Sequence, residues 1–246
     1  MITINSFWDK DKLSLMEKLT IKSFIDHGHK FCLYTYKDIN YNVEGLEIKD
    51  ANEIINFKDY FLYEGFGDCP KNSVGGFSDI FRFFLLKKIG GWYTDMDVTC
   101  LKNFSDLDKK NIVLRPHNRW KVVANIIKLN DSKISEKILN RYNVINSKNN
   151  DWALPIRLLT EELENNSLIN SENLVDITVF GNDDPKFLYN IVKKDIFSQN
   201  KLPSHAIHWC NTAVTTGNWD NNIRSDWNKP APLTLLYCLC KKHELI

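Results

Sequence analysis

The segment from Phe77 to Val98 constrains the fold more than any other part of this chain. An apolar helical run from Phe77 to Ile89 is broken by Gly90-Gly91 and followed at once by Trp92-Tyr-Thr-Asp-Met-Asp-Val98. Two glycines let a chain turn sharply from helix to strand, because glycine adopts backbone conformations that other residues avoid. A helix running straight into a short strand is a building unit of layered α/β folds. Asp95 and Asp97 then stand two residues apart at the strand's carboxyl end, and strand alternation predicts that both face one side. Two carboxylates facing one way repel each other unless something positive sits between them. A divalent cation that itself holds a phosphate meets that need.

The flanking pattern agrees with an α/β domain. Ile2 to Trp8 reads as a strand, and Ser14 with Glu17 as a capping box for a helix to about Asp26, stopped by Gly28. Phe31 to Tyr36 and Leu46 to Lys49 read as strands, with Asp50 and Glu53 capping a short helix. Glycines and Pro70 mark residues 61–76 as a loop. Further on, the pattern predicts strands over Ile112 to Arg115, Val122 to Leu129 and Leu174 to Phe180. It predicts helices from Asp131 through Val144, over Leu154 to Leu163, and within Pro230 to His243. This is the rhythm of a mostly parallel central sheet flanked by helices, without internal repeats, and it predicts one domain over residues 1–246.

Composition narrows the partners. A net charge of +1 gives no reason to expect a nucleic acid. No apolar run is long enough to span a bilayer. The apolar C-terminal helix (Leu233, Leu236, Tyr237, Cys240) is expected to pack into the core, with a peripheral membrane contact as the alternative. Six cysteines without zinc spacing suit a reducing compartment. Met1 to Trp8 is too short for a signal peptide, so a cytoplasmic setting is expected. Seven Trp and nine Tyr suit a protein that handles sugars, whose C–H faces stack on rings; filling a core is the plainer alternative.

Arg82 sits among Phe81, Phe83, Phe84, Leu85 and Leu86, where a guanidinium is costly unless paired. Asp79 and Ser78, three and four residues back, are within reach on a helix. The Asp79–Arg82 pair is either purely structural or the edge of a ligand pocket that fixes a sugar hydroxyl or a phosphate.

Taken together, Phe77-Ser-Asp-x-x-Arg82 and Gly90-Gly-x-Tyr-x-Asp-x-Asp97 resemble the donor-sugar-binding region of the DXD-motif glycosyltransferases. The resemblance is to the family-32 group of capsular-polysaccharide, mannosyl- and galactosyltransferases, related to the glucosylating clostridial toxins. Phe7-Trp8, Leu13-Ser14, Ser23-Phe24, His27-Gly28-His29, Leu33 to Tyr36, Asp50-Ala51-Asn52, Asn125 to Lys128, and Ala206 to Trp209 with Asn211 extend it. It is weakest from about Asp131 to Lys201.

The resemblance implies a GT-A-type, Rossmann-like fold with a donor-binding half over about 1–130 and an acceptor-side half over about 131–246. It implies a UDP- or GDP-sugar donor, Mn²⁺ or Mg²⁺, and a saccharide, glycolipid or glycoprotein acceptor in polysaccharide or glycoconjugate synthesis. Retention of anomeric configuration is expected. By the same resemblance Asp97 is a metal ligand, Asp95 holds ribose or sugar hydroxyls and the metal, and His208 is a third protein ligand. Trp8, Ser78, Asp79, Arg82, Tyr93, Asp95 and Met96 form the donor site. Asn125, Asp183 and Asp184 are candidates to face the anomeric carbon, with the catalytic group unassigned. Two alternatives remain open at this point. One is a haloacid-dehalogenase-like phosphatase, with Asp95 of Asp95-Met-Asp-Val-Thr99 as nucleophile. The other is a non-catalytic sugar-nucleotide-binding protein of the same fold.

Overall fold

In a computed structural model, residues 1–181, 202–210 and 228–246 are described. Three strands, β1 (Thr3–Trp8), β2 (Lys30–Thr35) and β3 (Leu46–Asp50), pair in parallel, with helix α1 (Leu15–Asp26) crossing between β1 and β2. Helix α2 (Gly75–Ile89) leads back to β4 (Trp92–Thr94), which joins the other side of β1 in parallel. The antiparallel hairpin of β6 (Ile112–His117) and β7 (Lys121–Leu129) completes a six-stranded sheet in the order β3-β2-β1-β4-β7-β6. A separate two-stranded sheet pairs β5 (Val98–Cys100) with β8 (Ala206–His208). Helices α3 (Ser132–Tyr142), α4 (Leu154–Asn165), α5 (Ile177–Phe180) and α6 (Leu235–Lys242) follow, and two short 3-10 helices, Ala51–Glu53 and Phe57–Asp59, lie after β3.

The strand order reverses direction at β1 and β4. The first connection leaves β1 toward β2, and α2 returns the chain to the opposite side. Open α/β sheets bind ligands in the crevice at the carboxyl ends of strands where this switch occurs. The sheet is covered on both faces, so its strands read as nearly continuous apolar runs. In β2, Phe31 and Leu33 pack with α1 residues such as Phe24, while Cys32 and Tyr34 pack into the cluster that holds α2, α3 and α4.

Local signals account for most boundaries. Both halves of the predicted capping box form: the Met16 N–H donates to Ser14 Oγ, and the Ser14 N–H donates to Glu17. Gly90, at φ 65°, caps α2 in a conformation that a side chain would strain. Helix α2 opens at Gly75, inside the predicted loop. Tertiary packing explains it: a Cβ on Gly76 would lie 2.2 Å from the Tyr63 hydroxyl, and one on Gly75 2.5 Å from the Trp152 ring. These glycines give close approach to neighbours rather than a turn.

The predicted strand over Leu174 to Phe180 does not form. Leu174 makes one isolated parallel bridge to Leu114, and Asp176 then caps the short helix α5 through the Thr178 N–H. Alternation of Val175, Ile177 and Val179 imitated a strand, while the capping aspartate decided the outcome. The C-terminal helix packs into the core, but through Leu235, Leu236, Leu239 and Cys240, against Leu15, Met16 and Leu19 of α1, Ile207 of β8 and the adjoining Trp209; Leu233 lies exposed ahead of the helix and Tyr237 is half-buried, because the helix starts at Leu235. Among the described residues, no helix is long and apolar enough to cross a membrane, and Cys32, Cys69, Cys100, Cys238 and Cys240 are free.

Candidate active site

Asp95 and Asp97 lie in the turn between β4 and β5, not on the strand itself. Strand alternation therefore does not explain their common direction; the anchoring of this turn does. The Asp95 N–H donates to the Asn125 carbonyl of β7 at 2.8 Å. The Thr20 hydroxyl of α1 donates to the Met96 carbonyl at 2.8 Å and accepts from the Val98 N–H at 3.2 Å. Thr20 and Ser23 are fully buried polar residues of α1, and Ser23 Oγ likewise accepts from the Cys100 N–H. The turn is thus gripped from two elements, and both carboxylates face one cleft of about 570 Å³.

The β5–β8 pairing supplies the next partner. Val98 sits opposite His208, and the Trp209 N–H donates to the Asp97 carbonyl. His208 Nε2 comes within 3.4 Å of Asp97 Oδ2. Residues far apart in the chain are therefore neighbours at the cleft floor. A carboxylate and an imidazole side by side are a donor set suited to a divalent ion such as Mn²⁺. Among the described residues, no group of three or more His, Cys, Asp or Glu could hold a metal ion. The three expected ligands therefore do not gather into one set: Asp97 and His208 meet, while Asp95 is engaged by Arg82.

Arg82 organises the other wall. Its Nη1 lies 3.1 Å from Asp79 and its Nη2 2.7 Å from Asp95, with a side chain only 7% exposed. The guanidinium also lies 5.1 Å from the centre of the Tyr93 ring. The pair inferred from sequence is thus a bridge joining two carboxylates, and Arg82 and both aspartates line the cleft. Burial pushes the Asp95 carboxyl up to about 6; Arg82 and His208 oppose that shift, and Asp97 adds to it. Burial also raises Asp79 despite Arg82.

The other expected donor residues divide between wall and support. Trp8, Ser78 and Asn125 line the cleft, and the Trp8 indole N–H donates to the Lys12 carbonyl. Tyr93 is buried behind the wall, near Ser78 through its hydroxyl at 3.4 Å. Met96 borders the cleft, but its side chain packs into the core. Asp183, Asp184 and Asn211 fall outside the described residues.

Asn125 has a buried amide nitrogen without a hydrogen-bond partner, while its Oδ1 accepts from Arg115 Nη1 at 2.9 Å. Arg115, also bonded to the Gly181 carbonyl, was not singled out in the sequence. Nor were His117, Trp120 and Trp152, which line the same cleft. A tertiary hydrogen bond reveals Arg115, and no local motif marks it. The two tryptophans were visible only as part of an aromatic-rich composition.

Residues 15–119 match the family described as "Glycosyltransferase sugar-binding region containing DXD motif". A comparison with curated protein sequences finds no match. Among solved structures, the chain is similar to the glycosyltransferase GlyE of Streptococcus pneumoniae TIGR4, at 13% identity and a TM-score of 0.52, over 100% of this chain and 61% of that one. It is also similar to the galactosyltransferase LgtC solved in complex with donor and acceptor sugar analogues, at 12% identity and a TM-score of 0.51, over 99% of this chain and 95% of that one. At such identities these structures establish the fold, which is of the GT-A type. The match over 15–119 spans α1, α2 and both aspartates, and it leaves the phosphatase reading of Asp95 without support.

Proposed function

We propose that this chain, a glycosyltransferase of the DXD kind with a GT-A fold, moves a hexosyl group from a nucleotide-diphosphate sugar to a saccharide acceptor with the aid of a divalent cation. One observation carries the reading: Asp97 and His208 meet at 3.4 Å beside Asp95, which Arg82 holds, at the floor of a single cleft. Asp97 and His208, with Asp95 adjacent, would hold Mn²⁺ or Mg²⁺. When bound, such an ion supplies charge stabilisation for the departing diphosphate.

The chain's own groups prepare the rest. Arg82 fixes Asp95 in one orientation, ready to accept hydrogen bonds from ribose or sugar hydroxyls. Asn125 lines the cleft, with its amide oxygen held by Arg115. Trp8, at the carboxyl end of β1, lies where the nucleotide base of a doubly wound fold is expected. In the transfer the anomeric carbon loses its bond to the diphosphate oxygen and gains one to an acceptor hydroxyl, whose proton leaves with the diphosphate. The reading includes retention of configuration, after the resemblance of the motif region. It extends to a UDP- or GDP-sugar donor, to use in polysaccharide or glycoconjugate synthesis, and to a cytoplasmic setting, which the free thiols of Cys32, Cys69, Cys100, Cys238 and Cys240 support.

The test is incubation with UDP- and GDP-sugars and Mn²⁺, with released nucleotide diphosphate as the signal. Slow donor hydrolysis or transfer is expected from the wild-type protein, and its loss from Asp97→Asn with the fold retained. Full Mn²⁺-dependent turnover by the folded variant would overturn the reading.

A further inference from the structure

We infer that the outer lip of the cleft is the acceptor subsite, and that Trp120 and Trp152 bind the acceptor there as a saccharide. The inference rests on the donor reading above but arises from different residues. Five tryptophans are described. Three of them commit their indole N–H to the protein: Trp8 to the Lys12 carbonyl, Trp92 to Asp108 and Trp209 to Thr99. Among the described residues, no hydrogen bond engages the indole N–H of Trp120 or Trp152, and both rings are half-buried and line the cleft. Indole N–H groups usually find a partner when buried. Two uncommitted donors on large apolar rings form a surface that is flat and apolar yet able to donate to a hydroxyl. That combination matches a sugar ring, with its C–H face and its hydroxyl rim.

Both rings are held in place before any ligand arrives. Trp152 lies over Gly75, where a Cβ would come within 2.5 Å, and it meets Tyr63 edge-on at 6.1 Å. The Trp120 ring lies under the Arg119 guanidinium at 4.5 Å, and the Trp120 carbonyl accepts from the Thr160 hydroxyl at 2.9 Å. Rings fixed in this way lose little freedom on binding.

Topology separates this lip from the donor end. Trp120 closes the β6–β7 turn and Trp152 precedes α4, while Trp8 ends β1. In the sheet, β1 and β7 flank β4 on opposite sides, with the Asp95–Asp97 turn following β4. A nucleotide seated over β1 with its diphosphate at the aspartates therefore points its sugar toward Trp120 and Trp152. The saccharide that receives the sugar belongs beyond it.

The experiment uses the full chain, the UDP- or GDP-sugar that it hydrolyses, and a panel of methyl glycosides with maltose and lactose as acceptors. Methyl aglycones avoid adding an aromatic group that would stack by itself. Transfer and hydrolysis are measured together, and saccharide binding is followed by calorimetry. Expected is a fall of about tenfold in the ratio of transfer to hydrolysis for Trp120→Ala and for Trp152→Ala, through a raised acceptor KM, with most of it retained by Trp152→Phe. The Phe variant and Trp120→Ala keep the test open should Trp152→Ala fail to fold over Gly75. An unchanged acceptor KM with a raised donor KM in folded variants would assign the rings to the donor and overturn the inference. A wild-type protein that hydrolyses a donor but neither binds nor uses any saccharide of the panel would also overturn it, leaving the donor reading intact. A wild-type protein that binds no nucleotide sugar would instead sink the donor reading itself.

Discussion

Arg82 contacts Asp79 through one nitrogen and Asp95 through another, with the Tyr93 ring beside its guanidinium. A lysine ammonium could not span the two carboxylates in this way. Replacing Arg82 with Met leaves both carboxylates facing a low-dielectric wall. The expected cost is at least about 2 kcal/mol, below the value for a fully buried pair because both carboxylates open partly to the cleft; a chemical denaturation curve reads it directly. The same variant carries a pH signature. Asp95 sits raised at about 6, with Arg82 acting to lower it. Under the proposed function the Asp95 carboxylate serves metal-dependent nucleotide binding, which should therefore weaken as pH falls through about 6 in the wild-type protein. Without Arg82 the carboxyl rises further, and binding should fail at a higher pH. Calorimetric titration with UDP and Mn²⁺ from pH 5 to 8 tests this, and superimposable acid limbs in the two proteins would refute it.

At the scale of elements, the Asp-Met-Asp turn owes its shape to a helix that is remote in sequence. Thr20 is isosteric with valine, so Thr20→Val deletes only a hydroxyl. It would orphan the Met96 carbonyl and the Val98 N–H, both bonded to that oxygen at 2.8 and 3.2 Å. We expect a loss of about 1–3 kcal/mol together with weaker Mn²⁺-dependent nucleotide binding. A melting temperature equal to the wild type would show that the clamp is dispensable. The start of α2 offers a second test. Gly76→Ala adds a methyl group 2.2 Å from the Tyr63 hydroxyl, although alanine is the better helix former. Propensity alone predicts a gain of about 1 kcal/mol, whereas overpacking predicts a loss of about 1–3 kcal/mol. The packing term should win, and a thermal melt decides the sign.

For the molecule as a whole, the Asp97–His208 corner is backed by a helix from the far end of the chain. Helix α6 packs Leu236 and Leu239 against α1 and against Ile207 and Trp209, the neighbours of His208 at the end of β8. Buried His243 ties the same helix to Asp26 at the end of α1, at 2.7 Å. Leu236→Ala should destabilise the protein by about 2–5 kcal/mol. It should also weaken Mn²⁺-dependent nucleotide binding at temperatures where the protein remains folded, since β8 loses part of its backing. Measured affinity that stays unchanged while the melting temperature drops would separate the corner from α6.

The division between sequence and tertiary structure follows the range of the forces involved. Capping boxes, glycine breaks and apolar runs act within a few residues. The Ser14–Glu17 cap, the Gly90 stop and the apolar, aromatic run of β2 could therefore be read directly, as could the motif from Phe77 to Asp97. Short-range pattern misled where a neighbour from elsewhere overruled it, as at Gly75-Gly76, or where two local signals competed, as at Asp176. The direction of Asp95 and Asp97, the meeting of Asp97 with His208, the Arg115–Asn125 bond and the placing of Trp120 and Trp152 on one cleft are set by contacts between distant segments. No local periodicity records them. The residue types for the chemistry are thus written along the chain, but only burial and strand pairing bring them to one cleft, because a site of opposed charges and open rings exists only once the sheet has closed around it.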